Sequence, residues 1–179
     1  MISKQLEKIT SVVQREFSEL DDEELNRKPA RDKWSIAQCL DHLVVSNGSY
    51  FPAFESLLNG KYRRSFWQIF NPLTNVSGKK GLELLKSGKI KLKAPAIFAP
   101  SKEKEIRNSV EAFITHQEKL GVLFDKLEAA GVLDKVISSP VTSALTLKTG
   151  DAINIIIEHE SRHLKQALAV KEICITHKG

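Results

Sequence analysis

Four stretches of this 179-residue chain repeat their apolar side chains every three or four residues, and this periodicity limits the possible folds more than any other feature. Such spacing is typical of amphipathic helices, each of which must bury its apolar face against a neighbour. The sequence shows no convincing set of alternating strands, no internal repeat and no low-complexity tract. It therefore predicts an all-α fold, with residues 1–179 forming a single four-helix-bundle domain.

Capping residues and helix breakers place the first two helices. The first helix is predicted over residues 3–20. The second is predicted to begin after Ser35, because Gln38 three residues later completes a capping box. Gly48 and Pro52 weaken the later turns of this helix, so a kink or a break is expected there.

The third and fourth helices occupy the second half of the chain. The third is predicted to start after Ser101, a capping residue, and to stop at Gly131. The fourth is predicted to start at Asp151, which follows Gly150 as an N-cap, and to run to Glu172. The segment between these helices, ISSPVTSALTLKTG, is rich in turn residues and leaves room for a short extended piece.

Residues 60–100 are the least regular part of the chain, and so long a connection within one domain often serves as a functional cover. The stretch LELLKSG in this connection is expected to form a short helix ending at Gly88. Lysines are dense between residues 79 and 93, but no aromatic side chain lies among them to stack on bases, which indicates a solvated segment. Five aromatic residues suggest that the connection packs on the bundle: Tyr62, Phe66, Trp67, Phe70 and Phe98.

The composition is that of an ordinary globular domain. The hydrophobic fraction is 41%, the charged fraction is 27% and the net charge is +5. The charged N-terminus does not resemble a signal peptide, and no apolar run approaches the about 20 residues of a membrane span. We therefore expect a cytoplasmic protein that binds neither membranes nor nucleic acid. Cys39 and Cys174, the only cysteines, are expected to be free thiols.

Residues 159–163 read HESRH, which is the letter pattern of a zinc metalloprotease helix. On a wheel of about 100° per residue with Ala152 at zero, His159 lies at about 340° and His163 at about 20°. Both histidines therefore lie in the middle of the apolar face, where two imidazoles one turn apart can bind one metal ion. The alternative is a pair of core histidines that are hydrogen-bonded to their surroundings.

A metalloprotease is not supported by the rest of the chain. The long form of the protease motif would need glycine and histidine at two positions where this sequence has Gln166 and Ala169. A glutamate ligand from a later helix is also missing, because Glu172 lies on the same helix and is directed outward. If the histidine pair binds a metal, the site is of another kind and its third ligand comes from elsewhere in the chain.

Three other histidines are candidates for that third ligand. His177 lies among the last residues, which are expected to fray. His116 is adjacent to a core position of the third helix and is expected at its surface edge. His42 lies at about 240° on the wheel of the second helix, with Ile36 at zero. This position at the flank of the apolar stripe fits a surface histidine and a ligand equally well.

The stretches KWSIAQCLDHL and HESRHLKQ, in this order and at this distance, resemble the DinB-like superfamily of metal-dependent enzymes, and the resemblance spans residues 5–172. It implies a four-helix bundle of up-down-down-up type with a long crossing connection, often assembled as a homodimer. It also implies a divalent metal, zinc or nickel, bound by His42, His159 and His163. The assignment of all three as ligands rests on the resemblance, because the helical wheel did not decide whether His42 is a ligand or a surface histidine.

The resemblance further implies a small-molecule substrate. Characterised relatives include transferases and isomerases that use bacillithiol, mycothiol or glutathione, so the leading hypothesis is an S-transferase dependent on a low-molecular-weight thiol, or a related hydrolase. Glu160 is then a candidate catalytic base or ligand-orienting residue, although a carboxylate on the rim of the site is the favoured interpretation. Arg162 is a candidate for binding an anionic cofactor or substrate, with a solvated arginine as the alternative.

Two other functions stay open at this point. One is a non-catalytic stress protein that binds a metal or a small ligand through the same histidines. The other is a helical module that binds nucleic acid or a protein partner, which rests only on the lysine-rich connection.

Overall fold

The computed structural model describes residues 2–62, 83, 98–100, 105–140, 142 and 145–176. Four long helices form the bundle, namely α1 (Ser3–Phe17), α3 (Ile36–Gly48), α5 (Ser109–Ala129) and α6 (Thr149–Lys171). Between them lie the shorter helices α2 (Asp22–Asn26) and α4 (Phe51–Leu58) and the strands β1 (Val136–Ser138) and β2 (Thr146–Lys148). A π-helical turn, Glu172–Thr176, follows α6.

Hydrogen bonds near the helix ends, together with the chain connectivity, show the relative directions of the long helices. Lys171 Nζ, at the end of α6, donates to Glu16 O at the end of α1 over 2.8 Å, so these helices run in the same direction. Asn108 N, at the start of α5, donates to Asp22 Oδ1 just after α1 over 3.3 Å, so α5 runs in the opposite direction. Helix α3 also starts at that end, since it follows α1 through the short α2. The bundle is therefore up-down-down-up, and the connection from α4 to α5 must cross its length.

The packing of the long helices confirms the predicted four-helix bundle. Helices α1 and α3 each pack against both α5 and α6, so α1 and α3 lie diagonally across the core from one another. Each long helix places its apolar stripe toward this shared core, as the periodicity predicts. The largest side chains that are fully buried include Phe17, Phe54, Phe113, Phe124, Leu40, Leu43, Leu120, Ile153 and Ile156.

The connection after α1 differs from the prediction. The first helix ends at Phe17, earlier than predicted, and the residues expected as an irregular polar connection form α2. Asp21 Oδ1 accepts a hydrogen bond from Glu24 N over 2.8 Å, and the Glu24 carboxylate accepts one from Asp21 N over 3.2 Å. This reciprocal capping box supports the short helix. The capping box of α3, formed by Ser35 and Gln38, is confirmed.

Helix α5 begins at Ser109, later than the predicted start after Ser101. The cause is a side chain from the first half of the chain. The carboxamide of Asn26 donates to Ile106 O over 2.8 Å and accepts from Ile106 N over 2.9 Å, so both backbone groups of Ile106 are satisfied outside a helix. Asn108 then adopts the left-handed conformation, with φ of 53°, directly before the helix.

Other predicted boundaries agree more closely with the structure. The break is confirmed, because α3 ends at Gly48 and Pro52 lies in the first turn of α4. The stop after α5 is confirmed at Gly131, which has φ of 65°. Helix α6 starts at Thr149, two residues before the predicted cap. Thr149 N and Oγ1 both donate to Lys135 O, over 2.8 and 2.9 Å, which ties the start of α6 to the segment before β1.

The segment between α5 and α6 contains the expected extended piece. Strands β1 and β2 pair antiparallel, with Ile137 opposite Leu147 and both side chains buried. Tyr62 Oη accepts a hydrogen bond from Ser138 N over 3.1 Å, and Phe98 is buried. Both ends of the long connection therefore pack on the rest of the protein, as its aromatic residues predicted.

Several predictions concern residues outside the described part of the chain. They are the short helix ending at Gly88, the packing of Phe66, Trp67 and Phe70, the lysines between residues 79 and 93, and the position of His177. Cys39 and Cys174 are free and buried, as predicted. In the described part of the chain, no helix combines the length and the apolar character that crossing a membrane requires.

Candidate metal centre

Three histidine side chains converge between α3 and α6. His42 comes from α3, and His159 and His163 lie one turn apart on α6. One ring nitrogen of each lies within 4.8 Å of the others, and the Nε2 atoms of His42 and His159 are 3.2 Å apart. The i, i+4 spacing on α6 and the packing of α6 against α3 together build this histidine cluster.

The distances in the histidine cluster suit one ion bound by three imidazoles. Zn–N bonds of about 2.0–2.1 Å at a tetrahedral angle place two ligand nitrogens about 3.3 Å apart. The separation of 3.2 Å between His42 Nε2 and His159 Nε2 is close to this value. His163 Nδ1 is buried and makes no hydrogen bond of ordinary geometry within the described residues. The cluster therefore fits a divalent metal.

Burial keeps the three imidazoles in the neutral form that binds metals. It lowers the pKa of His42, and it lowers the pKa of His159 to about 3 and that of His163 to about 2, with the neighbouring imidazoles adding to the effect on α6. His42 Nδ1 lies 2.5 Å from Phe98 O. Because a carbonyl oxygen can only accept, Nδ1 carries the proton and Nε2 of His42 is left with a free lone pair facing His159.

The structure decides the position of His42, which the wheel left open, and corrects the expected position of His116. His42, placed at the flank of its stripe by the wheel, is 2% exposed, because α3 packs against both α5 and α6 and buries more than one stripe. His116, expected at a surface edge, is 8% exposed. Its ring stacks on Phe51 with the centroids 5.2 Å apart, and its Nε2 has no partner within the described residues. His116 is not part of the histidine cluster.

Trp34 packs on two of the three imidazoles. Its ring centroid lies 5.5 Å from that of His163, in a stacked arrangement, and 4.9 Å from that of His42. These contacts were not predicted from the sequence. The signal that could have indicated them is the place of Trp34 about two helical turns before His42, directly ahead of the residue that caps α3.

Glu160 is not a carboxylate on the rim of the site, so that interpretation is wrong. Its side chain is 0% exposed, and Asn47 Nδ2 donates to its Oε1 over 2.7 Å. Burial raises the pKa of Glu160 to about 8, against the opposing effect of the Gln117 and Asn47 amides. Side chains of α3 and α5 close over this side of α6, which a wheel of α6 alone does not show. A direct catalytic role for Glu160 stays a prediction.

The Gln117 amide approaches the Glu160 carboxyl group closely enough to affect its pKa. Within the described residues, however, neither amide atom of Gln117 nor Glu160 Oε2 makes a hydrogen bond of ordinary geometry. Within the part of the chain that the structure describes, the carboxyl group is hydrogen-bonded to Asn47.

Arg162 is half-buried beside the histidine cluster. After burial and the neighbouring imidazoles, its charge is a further cause that lowers the pKa of His159 and His163. Within the described residues, no carboxylate forms an ion pair with Arg162. The structure thus places a positive charge near the cluster, and the predicted role of Arg162 in binding an anionic cofactor or substrate stays a prediction.

Comparisons with known proteins agree with this fold. Residues 5–167 match the DinB superfamily. The chain is 28% identical over 166 residues to the uncharacterized protein YuaE of Bacillus subtilis (strain 168), covering 88% of this chain and 89% of YuaE. Its fold is similar to that of YfiT from Bacillus subtilis, described as a probable metal-dependent hydrolase with an unusual four-helix bundle topology. That likeness has a TM-score of 0.58 at 12% identity and covers 96% of this chain and 84% of that chain. Since the family match extends over most of the chain, this protein belongs to the DinB superfamily.

Proposed function

We propose that this protein is a metal-dependent enzyme acting on a small molecule, with one divalent ion, zinc or nickel, bound by His42, His159 and His163. The observation that carries the proposal is the convergence of these three imidazoles, with one nitrogen of each within 4.8 Å of the others. Three protein ligands that leave a coordination position open are typical of catalytic zinc sites, whereas structural zinc sites use four.

Within this class, the proposed reaction is transfer of a low-molecular-weight thiol or a related hydrolysis. A divalent ion supplies Lewis acidity, which lowers the pKa of a bound thiol or water so that the nucleophile exists near neutral pH. Arg162 supports an anionic thiol or substrate, because it adds a positive charge near the cluster. Trp34 stacks on the His163 ring and packs at a tilt on the His42 ring, which gives that side of the site an apolar surface.

Contacts around the imidazoles support their role as oriented ligands. The hydrogen bond from His42 Nδ1 to Phe98 O fixes both the tautomer and the rotation of that ring. Trp34 stacks on His163 and limits the movement of the second ring. Hydrogen bonds of the kind made by His42 Nδ1 typically change metal affinity by about 10–100-fold when they are removed.

The metal content of the purified protein tests the site. We expect about one equivalent of divalent metal in the wild type, and its loss from the His159→Ala and His163→Ala variants. His116→Leu is the matched control, because it removes a buried histidine outside the cluster. Mass spectrometry of the metal ions makes the measurement. Less than about half an equivalent in the wild type, unchanged in the two alanine variants, would contradict the proposal.

Turnover measurements test the reaction class. Metal-loaded protein would be incubated with an electrophile and with bacillithiol, mycothiol or glutathione, and separately with a panel of ester and amide substrates. We expect consumption of one thiol or hydrolysis of one substrate class, and loss of that activity after chelation and in His159→Ala. Activity that persists in both conditions would not arise from the histidine cluster.

A non-catalytic protein that binds a metal or a small ligand is the second candidate. The burial of Glu160 favours it, because the carboxyl group next to a proposed ligand is 0% exposed and is not available as a base at the surface of the site. Full metal occupancy without turnover on the whole panel would favour this candidate. For either function we propose a homodimer, which light scattering of the purified protein would test.

A further inference from the structure

A second buried polar contact joins the two helices that carry the imidazoles. On α3, Asn47 follows His42 by about one and a half turns, and on α6, Glu160 directly follows His159. Asn47 Nδ2 donates to Glu160 Oε1 over 2.7 Å, and these side chains are 1% and 0% exposed. Helices α3 and α6 therefore meet at two polar points, one between His42 and His159 and the other between Asn47 and Glu160.

Stability alone does not explain the Asn47–Glu160 contact. Replacing a buried polar pair by apolar side chains of similar volume is often neutral or stabilising, because the polar groups must be desolvated. Glu160 Oε2 and both amide atoms of Gln117, which add to this cost, lack hydrogen bonds of ordinary geometry within the described residues. The contact instead restricts how α6 can rotate against α3, since a hydrogen bond constrains rotation more tightly than apolar packing does.

The histidine cluster needs such a constraint, because metal coordination tolerates little displacement. A helix with its side chains has a radius of about 5–6 Å, so rotating α6 by about 20° moves an imidazole nitrogen by about 2 Å. Metal–ligand distances vary by only about 0.2 Å. A hydrogen bond that lies about 7.5 Å along α3 from His42 opposes both rotation of α6 and sliding of α6 along α3.

We infer that Glu160 is a positioning residue for the metal centre: its hydrogen bond with Asn47 holds α6 in the rotation that brings His159 and His163 to His42. The inference rests on the proposed function, because it takes these three histidines as metal ligands. The role requires a hydrogen-bond acceptor at position 160 and does not require a charge. Glu160 thereby acts on the metal through the helix and not by contact with substrate.

A pair of variants separates positioning from simple packing. Asn47→Leu/Glu160→Leu removes both polar partners and keeps the core filled, whereas Glu160→Gln keeps an acceptor oxygen for Asn47 and is the matched control. We expect the affinity for Zn²⁺ to fall at least about 10-fold in the double variant and to change by less than about threefold in Glu160→Gln. Competition with a chromophoric chelator measures this affinity.

The unfolding of the metal-free proteins provides the second measurement. We expect the double variant to resist urea as well as the wild type does, or better, despite its lower zinc affinity. A purely structural role predicts the reverse, namely altered stability with unchanged affinity. If the double variant does not fold, Asn47→Ser, which shortens the donor, takes its place with an expected loss of at least about fivefold in affinity.

Zinc binding by the wild type shows whether a negative result overturns the positioning role alone or the proposed function as well. Zinc binding by the wild type together with an affinity within about threefold in the double variant, or in Asn47→Ser, overturns the positioning role alone. A wild type without measurable zinc affinity overturns the proposed function and this inference with it.

Discussion

His42 and His116 are both buried in the bundle core, but His42 belongs to the candidate metal centre and His116 does not. His42 is 2% exposed and His116 is 8% exposed, and burial lowers the pKa of both. The ring nitrogens of His42 face Phe98 O on one side and His159 on the other. The ring of His116 stacks on Phe51, and its Nε2 has no partner within the described residues.

The comparison teaches that burial and metal binding are separate properties of a histidine. Burial makes an imidazole neutral, which is necessary for a metal ligand but not sufficient. Convergence depends on the opposite helix, because α6 presents two imidazoles to His42, whereas an aromatic ring at the start of α4 faces His116. Experiments that change the metal, the pH or the individual rings can therefore separate the two properties.

Metal removal should have the largest effect, and it should act on the histidine cluster without involving His116. At a zinc concentration of about 1,000 times Kd, binding to the native state adds about 4 kcal/mol to the free energy of unfolding. We expect a chelator to remove this stabilisation from the wild type and from His116→Leu alike, and to leave His42→Ala unchanged. Thermal unfolding with and without chelator measures the effect. A full chelator response in His42→Ala would exclude His42 as a ligand.

Lowering the pH should change the stability of the metal-free wild type and of metal-free His116→Leu by different amounts. This difference should be smaller than the effect of metal removal. Burial lowers the pKa of His116 to about 4, that of His159 to about 3 and that of His163 to about 2. These values lie below the about 6.5 of an unfolded histidine, so the unfolded state binds more protons across the interval between them. Stability is therefore fully present above about pH 6.5 and is lost as the pH falls toward the folded-state values.

The contribution of His116 to this pH dependence can be isolated. His116→Leu removes one group that takes up a proton on unfolding. The slope of the free energy of unfolding against pH should therefore fall by about 1 kcal/mol per pH unit between about pH 6 and pH 4.5. Urea unfolding at several pH values, with chelator present, measures the slopes. A slope identical to that of the wild type would show that His116 is not held neutral by burial.

Near neutral pH, His116→Leu should change stability slightly and metal binding hardly at all. The substitution removes a buried polar ring whose Nε2 has no partner within the described residues, so we expect the free energy of unfolding to rise by about 1 kcal/mol. Zinc affinity should stay within about twofold of the wild type, whereas His42→Leu should abolish it. A loss of zinc affinity of about 10-fold or more in His116→Leu would mean that the two histidines are not independent.

The smallest effect should come from Trp34, which covers one side of the histidine cluster. In a Trp67→Phe background Trp34 is the only tryptophan, and zinc should change its fluorescence because its ring packs on His42 and His163. Trp34→Phe should weaken zinc binding by about threefold, since one aromatic contact is worth about 0.5–1.5 kcal/mol. A zinc titration with no fluorescence change, in protein shown to bind zinc, would argue against this contact.

Features that depend on a few neighbouring residues could be predicted from the sequence. The capping box of Ser35 and Gln38 and the break after Gly48 are set by local backbone geometry, and both are confirmed. The shared face of His159 and His163 follows from the same local geometry. The four-helix bundle itself follows from four apolar stripes that must be buried together.

Two predictions failed because a side chain from a distant part of the chain intervenes. Ile106 continues the periodicity of the third helix, but the Asn26 carboxamide satisfies its backbone groups outside the helix. Glu160 lies off the apolar stripe of α6, but it is buried in the core, where it accepts a hydrogen bond from Asn47 of α3. A helical wheel shows one helix and therefore cannot show what the neighbouring helices cover.

The sequence by itself determined that the chain forms amphipathic helices and that His159 and His163 lie on one face, because a period of about 3.6 residues is a local property of the backbone. The resemblance to a family pointed to His42, which its own helical wheel left undecided. Only the tertiary structure decided that His42 meets the other two imidazoles and that Glu160 is buried beside them. Both depend on which face of α3 lies opposite α6, and contacts across the whole bundle determine that choice.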